Sequence, residues 1–446
     1  MNRVNRPIGR LTKRFRLLSV LLCALPICAQ DSGKFFSWPT DSLNKESPSW
    51  LRFSGEERIR VEGYDNLFFK PNHTDNYLLQ RLRLNMKIQP VWWLKVIAQS
   101  QDSREFFKGG IAAPPYQDTW DLRQAYAEIG DMERGFFALR VGRQEVNMGE
   151  ERLMGSTNWT NNARTFDAAR LRLHHRKLRI DLFAASVVVV TVGQLGAVTP
   201  GNNIYGLYGG MENVIPHSTI EPYLFWRSQS TVQAQLGGVG TYDMKVPGIR
   251  WVGTLPHNFD YNTDLAFERG SLLKDSIDSW AGHWVVGYTA VNAPWTPRLF
   301  AEFNHASGSA SSKLGQRHTF DQLYATAHDK YGLGDQVGWK NVQHLRVGPE
   351  WKIRPRWSLS ARYSDYWLAD AHDALYNTSN AVVAQKADGS AGRWVGQEFD
   401  LVSAVQMSKI TTIGGGVSHI FPGTFLKLST PGMSYTAPYL FFQTLF

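Results

Sequence analysis

Cysteine is nearly absent from this sequence: two in 446 residues, Cys23 and Cys28, both within the first 29 positions. Beyond them there is no thiol, which excludes disulfides, cysteine zinc sites and thiol nucleophiles. Long apolar runs are missing as well. Past the N-terminus the longest, Leu182 to Val192, is about 11 residues. A membrane-spanning helix needs ~20, and a membrane-crossing strand only ~9–11. No P-loop, dinucleotide fingerprint or spaced acid–histidine ligand set occurs, so ordinary soluble enzymology has no support and no metal or other cofactor is expected.

What is present begins with a targeting segment. Arg3, Arg6, Arg10, Lys13, Arg14 and Arg16 precede an apolar stretch, Leu17 to Leu25, and Ala29 offers a small residue for cleavage. Residues 1–29 read as a signal peptide. Bulky Ile27 before Cys28 argues against a lipoprotein. The whole chain carries 48 Lys+Arg, 39 Asp+Glu and a net charge of +9. Six of the basic residues and no acid lie in the segment, so +9 less six leaves +3. Nucleic-acid binding loses its main support with them.

The rest reads as strands. Arg81-Leu82-Arg83-Leu84-Asn85-Met86-Lys87-Ile88 alternates without interruption. An extended chain puts the apolar residues on one face and the polar ones on the other. Arg170 to His174 and Asp260 to Glu268 repeat the pattern. About 18 such strands are expected between residues 50 and 446, an even number. Long connections such as 63–77, 104–119, 146–163, 307–340 and 368–394 take turns with short ones such as Pro90-Val91 and 175–176. Segment 232–242 is assigned to a loop on its glycines, Gly237, Gly238 and Gly240.

This asymmetry of connections separates an outer-membrane barrel from a soluble sandwich, which also alternates. Trp92 and Trp93, Trp295 and Trp357 follow prolines at short turns, where an interfacial aromatic girdle belongs. The final strand places Leu440, Phe442 and Phe446 on one face, and a terminal aromatic resembles the assembly signal read by the bacterial barrel-assembly machinery. The expected fold is all-β: a single transmembrane antiparallel β-barrel over 50–446, after a short periplasmic segment 30–49, with long extracellular loops, short periplasmic turns and a lipid-covered outer face.

Charges opposite apolar neighbours should face the lumen: Arg81, Arg83, Lys87, Arg140, Arg170, Arg172, Arg250, Arg346 and Arg362, with Asp260, Asp264, Glu268, Glu350, Glu398 and Asp400 as acids on the same kind of face. A barrel this size leaves an aqueous lumen. Guanidinium groups there offer bidentate donors to carboxylates or phosphates and favour anions. The same arginines and acids would also serve by pairing with each other and filling the wall. Glu57 falls on the apolar side of the first strand and does not fit its phase.

The densest group runs Arg140-Val141-Gly142-Arg143-Gln144-Glu145, then Gly149, Arg152, Trp159, Arg164-Thr165-Phe166-Asp167 and Arg170-Leu171. With His328-Asp329-Lys330-Tyr331-Gly332, Asp373 to Tyr376, Gly396 to Leu401 and His419 to Gly423, it resembles the alginate export family over roughly residues 50–446. The resemblance implies an 18-stranded outer-membrane barrel that passes an anionic uronate polysaccharide through an arginine-rich constriction. It implies Arg140, Arg143, Arg152, Arg164 and Arg170 as anion contacts, with Glu145 and Asp167 holding their guanidiniums.

Segment 307–340 is a candidate to fold into the lumen, with Phe320, Leu323, Tyr324 and Ala327 at helical spacing. Competing readings are a general porin for small organic anions or sugars, a plugged structural or receptor barrel, and a lipid hydrolase. The last has His174 and His175 beside a turn but no nearby serine.

Overall fold

The computed structural model describes residues 39–446 except 111, 234–237 and 311–314. The signal peptide 1–29 and most of segment 30–49 lie outside the described residues. A short helix, α1 (Pro39–Glu46), precedes the sheet.

The strands are β1 (Leu51–Tyr64), β2 (Asp75–Val91), β3 (Leu94–Phe106), β4 (Asp118–Gly130), β5 (Phe137–Gln144), β6 (Phe166–His175), β7 (Leu178–Val189), β8 (Ala197–Glu212) and β9 (Ser218–Gln233). They continue as β10 (Val239–Leu255), β11 (Phe259–Leu272), β12 (Asp275–Thr289), β13 (Arg298–Ala306), β14 (Val342–Arg354), β15 (Trp357–Trp367), β16 (Trp394–Gln406), β17 (Thr411–Pro422) and β18 (Tyr435–Leu445). Each pairs antiparallel with the next, and β1 also pairs with β18, Ile59 opposite Phe442. The result is a closed 18-stranded antiparallel barrel with no free edge.

The burial of this barrel is inverted relative to a soluble protein. Outward positions are apolar and exposed: Leu84, Leu265's neighbour Phe267, Trp280, Trp284, Leu299 and Phe303. Inward positions are charged and buried: Arg81, Arg83, Asp264, Glu268, Glu302 and Arg346. Period-two alternation produces both faces at once. At the rim of short connections, Trp92, Trp93, Trp295 and Trp357 stand exposed, where amphipathic indoles suit a membrane interface.

Glu57 does point outward. Its Oε1 accepts from Gln80 Nε2 at 2.9 Å, and Arg104 reaches Asp102 on the same outer face. The phase of β1 is therefore right, and a polar stripe interrupts the apolar face across β1–β3.

Segment 232–242 differs from expectation. β9 continues to Gln233 and β10 begins at Val239, with Val239 paired to Gln233. Strands β8, β9 and β10 are 16, 16 and 17 residues long, more than a bilayer crossing requires. Their ladders extend past the membrane, and the connections 234–238 and 273–274 are short. Positions 237 and 238 do fall in the connection, whereas Gly240 marks a bulge, the register shifting between Gly240 and Tyr242.

Candidate functional site

Two of the long connections fold inward and meet. The loop between β5 and β6, 145–165, and that between β13 and β14, 307–341, join by a parallel bridge at Met154 and Tyr324. Tyr324 N donates to Leu153 O at 2.9 Å, Gly155 N to Tyr324 O at 2.9 Å, and Thr326 N to Glu151 O at 2.8 Å. The Trp159 and His328 rings stack with centroids 3.9 Å apart. Phe320, Leu323, Tyr324 and Ala327 are buried, but the described part of 307–341 contains no helix. The backbone of its 324–326 stretch bonds to the other loop instead.

The β5–β6 loop reaches both sides of the barrel. On the β12–β13 side, buried Arg152 contacts Glu302 at 3.4 Å, His283 Nε2 at 3.1 Å and Tyr331 Oη at 3.2 Å, with Glu150 3.0 Å from its Nε. On the β1–β3 side, loop carbonyls meet a ladder of arginines. Arg58 donates to the carbonyls of Asn158, Trp159 and Thr160 at 3.0, 3.0 and 3.1 Å. Arg60 donates to Trp159 O at 2.5 Å and its guanidinium lies 3.9 Å from the Trp159 ring. Arg81 donates to Asn158 O and Thr160 O at 2.9 and 3.0 Å, and Arg83 to Asn158 Oδ1 at 3.1 Å. Arg123 pairs with Glu145.

The second loop is docked in the same way. Arg346 donates to Asp329 O at 2.7 Å, and Arg362 pairs with the Asp329 carboxylate. Glu398 accepts from Gly334 N at 2.8 Å and Asp400 from Leu333 N at 3.2 Å.

The barrel, its inward charges and the loop crossing agree with the sequence pattern over nearly the whole chain: the family model for alginate export matches residues 49–439. The chain belongs to the alginate export family. Among solved structures it is similar in fold to Pseudomonas aeruginosa OpdQ, at 10% identity and a TM-score of 0.58 over 89% of this chain and 97% of that one. OccK8 (OprE) of the same organism gives 11% identity and a TM-score of 0.58 over 89% and 98%. Acinetobacter baumannii OccAB2 gives 9% and 0.57 over 90% and 99%. No curated protein sequence matches the chain. It is an outer-membrane β-barrel of the porin type, and family and fold are those of a transport protein.

Most of the expected lumen arginines are paired. Arg140 makes two bonds to Glu128, at 2.8 and 2.6 Å. Arg170 and Arg172 share Asp181. Arg346 holds Glu302 by two bonds at 3.0 and 2.6 Å. Arg164 joins the two loops through the carbonyls of Gly155 and Tyr324 at 3.0 and 2.5 Å. Burial, without a carboxylate in contact, lowers it to about 10.

Three parts of the expected site are corrected. Arg143 and Asp167 pair at 2.8 Å on the outer face, because they share the outward parity of exposed Phe137 and Val141. Glu145 holds Arg123 rather than Arg140 or Arg143. Glu268, Glu398 and Asp400 position loop backbone N–H groups, not guanidiniums; Glu268 accepts from Asp321 N at 3.1 Å. Gly142 has φ +123°, and a Cβ there would lie 2.3 Å from Ala125 O, which accounts for the glycine of the Gly-Arg-Gln-Glu stretch. Arg58, Arg60 and Arg123 were missed. Arg58-Ile59-Arg60 carries the same alternation as Arg81-Leu82-Arg83, but the misfit of Glu57 masked it.

Two expected outcomes follow from this geometry. Arg143→Ala should leave ion selectivity in planar bilayers at the wild-type value, since the side chain lies outside the lumen; a shift in reversal potential would contradict the outward placement. The second concerns acid. Burial alone would raise Glu150, but Arg152, His283 and Lys330 outweigh it and hold its carboxyl at about 2. A depressed carboxyl stabilises above its unfolded value near 4.5 and loses that contribution as pH falls towards 2. The Arg152 end of the loop should thus stay docked down to about pH 4.5 and loosen below it. Single-channel recordings across that range should show loop noise appearing only on the acid side.

Proposed function

We propose that the protein is a passive, selective channel for carboxylate-bearing saccharides, uronate polymers or oligomers, with small organic anions as the nearest alternative. One observation carries the reading. Where the β5–β6 loop crosses the lumen, Arg60, Arg81, Arg83 and Arg123 pair with Glu56, Glu62 and Glu145, and Arg58 beside them meets only loop carbonyls. Five guanidiniums against three carboxylates leave two positive charges in excess. Family membership supports the same substrate class. Elsewhere on the wall each lumen arginine contacts a carboxylate, Arg140 on Glu128 and Arg170 and Arg172 on Asp181, whereas here the crossing loop faces the guanidiniums with neutral carbonyls, so we assign selectivity to this cluster first.

The test is the reversal potential across a salt gradient in planar bilayers. Anion preference is expected in the wild type and a weaker one in Arg58→Gln and Arg81→Gln. Cation preference in all three would sink the reading. A plugged receptor or structural barrel is the second reading, favoured by the hydrogen-bonded bridge between the two loops; no conductance under any condition would support it. Assembly is proposed to use the last strand, whose Phe446 exchanges backbone bonds with Gly55 at 2.6 and 3.0 Å.

A further inference from the structure

The two ends of the β5–β6 loop are held by different chemistry. The Arg152 end is fixed by carboxylates, Glu150 and Glu302. The tip, Asn158 to Thr160, is held against β1 and β2 only by neutral acceptors: backbone carbonyls on Arg58, Arg60 and Arg81, and the Asn158 amide oxygen on Arg83. Those donors are not saturated. Arg58 Nε, Arg83 Nη2 and Arg123 Nε are buried without a hydrogen-bond partner, and the three residues are 5%, 6% and 3% exposed. A carboxylate adds to such a bond a full opposite charge and a bidentate geometry matched to the guanidinium fork, which a neutral carbonyl lacks. Beside the tip, Asn161 Nδ2 donates to the carbonyls of Gln80, Tyr116 and Arg104 at 2.9, 2.9 and 3.2 Å, which gives the segment a pivot.

We propose that the tip Asn158–Thr160 is a tethered stand-in for the transported anion. A uronate carboxylate displaces its carbonyls from Arg58 and Arg81, the tip turns about Asn161 away from the β1–β2 wall, and the polymer opens its own path. This rests on the substrate class proposed above. The direction follows from the exchange of neutral acceptors for charged ones on the same donors. The carboxylate-clamped Arg152 end stays in place, so the loop moves as a flap rather than leaving the lumen.

The experiment is single-channel recording of the full-length barrel in planar bilayers. Short oligouronates are added, with a neutral gluco-oligosaccharide of equal length as control. The wild type is expected to enter a larger conductance level, several-fold more often with oligouronate than without, and the neutral sugar to have no such effect. Trp159→Ala removes the stack on Arg60 and His328 without altering the wall, and should raise the frequency of the larger level in the absence of sugar. Arg58→Gln/Arg81→Gln, checked for folding by heat-modifiable gel mobility, should lose the response. Brief blocks by oligouronate that never exceed the sugar-free conductance would overturn the flap and leave selective passage standing. No interaction with oligouronate, together with absent anion preference, would remove both. An unchanged basal level in Trp159→Ala counts against the flap alone.

Discussion

Glu302→Gln should lower the stability of the docked loops by about 3–5 kcal/mol, the usual cost of removing one partner from a buried ion pair. Glu302 is 3% exposed and stands on β13 among four donors, Asn304 Nδ2 at 2.9 Å being one. Arg346 bonds it twice, and Arg152 and the His283 Nδ1 each lie at 3.4 Å. A neutral amide retains a hydrogen bond but leaves two guanidiniums buried in each other's field. The barrel ladder is untouched, so the loss is confined to the lumen. Both loops are held there, one through Arg152 and the other through Arg346 and Asp329. Thermal unfolding in detergent should show a lowered midpoint, and recordings should show frequent larger openings. Wild-type behaviour in both measurements would mean that the cluster is not the clamp.

Asp181→Ala is the comparable change in the wall. Asp181 is fully buried and receives Arg170 at 2.9 Å, Arg172 at 2.8 Å and Arg179 at 3.4 Å. Removing it leaves three cations without their shared carboxylate, again at about 3–5 kcal/mol. The readout differs from that of Glu302. Among the described residues no inward loop docks on Asp181, so opening frequency should hold while anion preference rises, because Arg170 and Arg172 lose their countercharge while Arg179 keeps Glu221 at 2.9 Å. Adding Arg170→Gln should recover part of the unfolding midpoint and reverse part of the selectivity shift. An unaltered reversal potential in Asp181→Ala would mean that these guanidiniums do not face the conducting path.

Most of the wall was legible because its rule is local. Alternation of apolar and polar residues fixes which side of a strand each side chain takes, and β2 and β11 display it over eight or more positions. Parity alone would also have put Arg143 outside, beside Leu139 and Val141. The family resemblance drew it into the site because motif order carries no information about which face a residue takes. The β9–β10 loop was read as too long because Gly240 serves a bulge within the ladder while positions 237 and 238 serve the connection.

That segment 307–340 turns inward was legible, but the contacts of the two inward loops were not. Arg58 bonds to carbonyls a hundred residues away, and Arg152 to an acid 150 residues on. No spacing or composition encodes such a pairing. It exists only once closure of β1 on β18 brings distant strands round a common lumen. The sequence by itself determined the outer-membrane barrel, its strand number, its girdles and its stock of lumen charges, since these follow from a period of two and from the lengths of connections. The tertiary structure alone decided which charges cancel and which remain. Neutralisation depends on partners a few ångströms apart in space, and the surplus at Arg58, Arg60, Arg81, Arg83 and Arg123 arises because a loop supplies carbonyls where carboxylates would otherwise be needed.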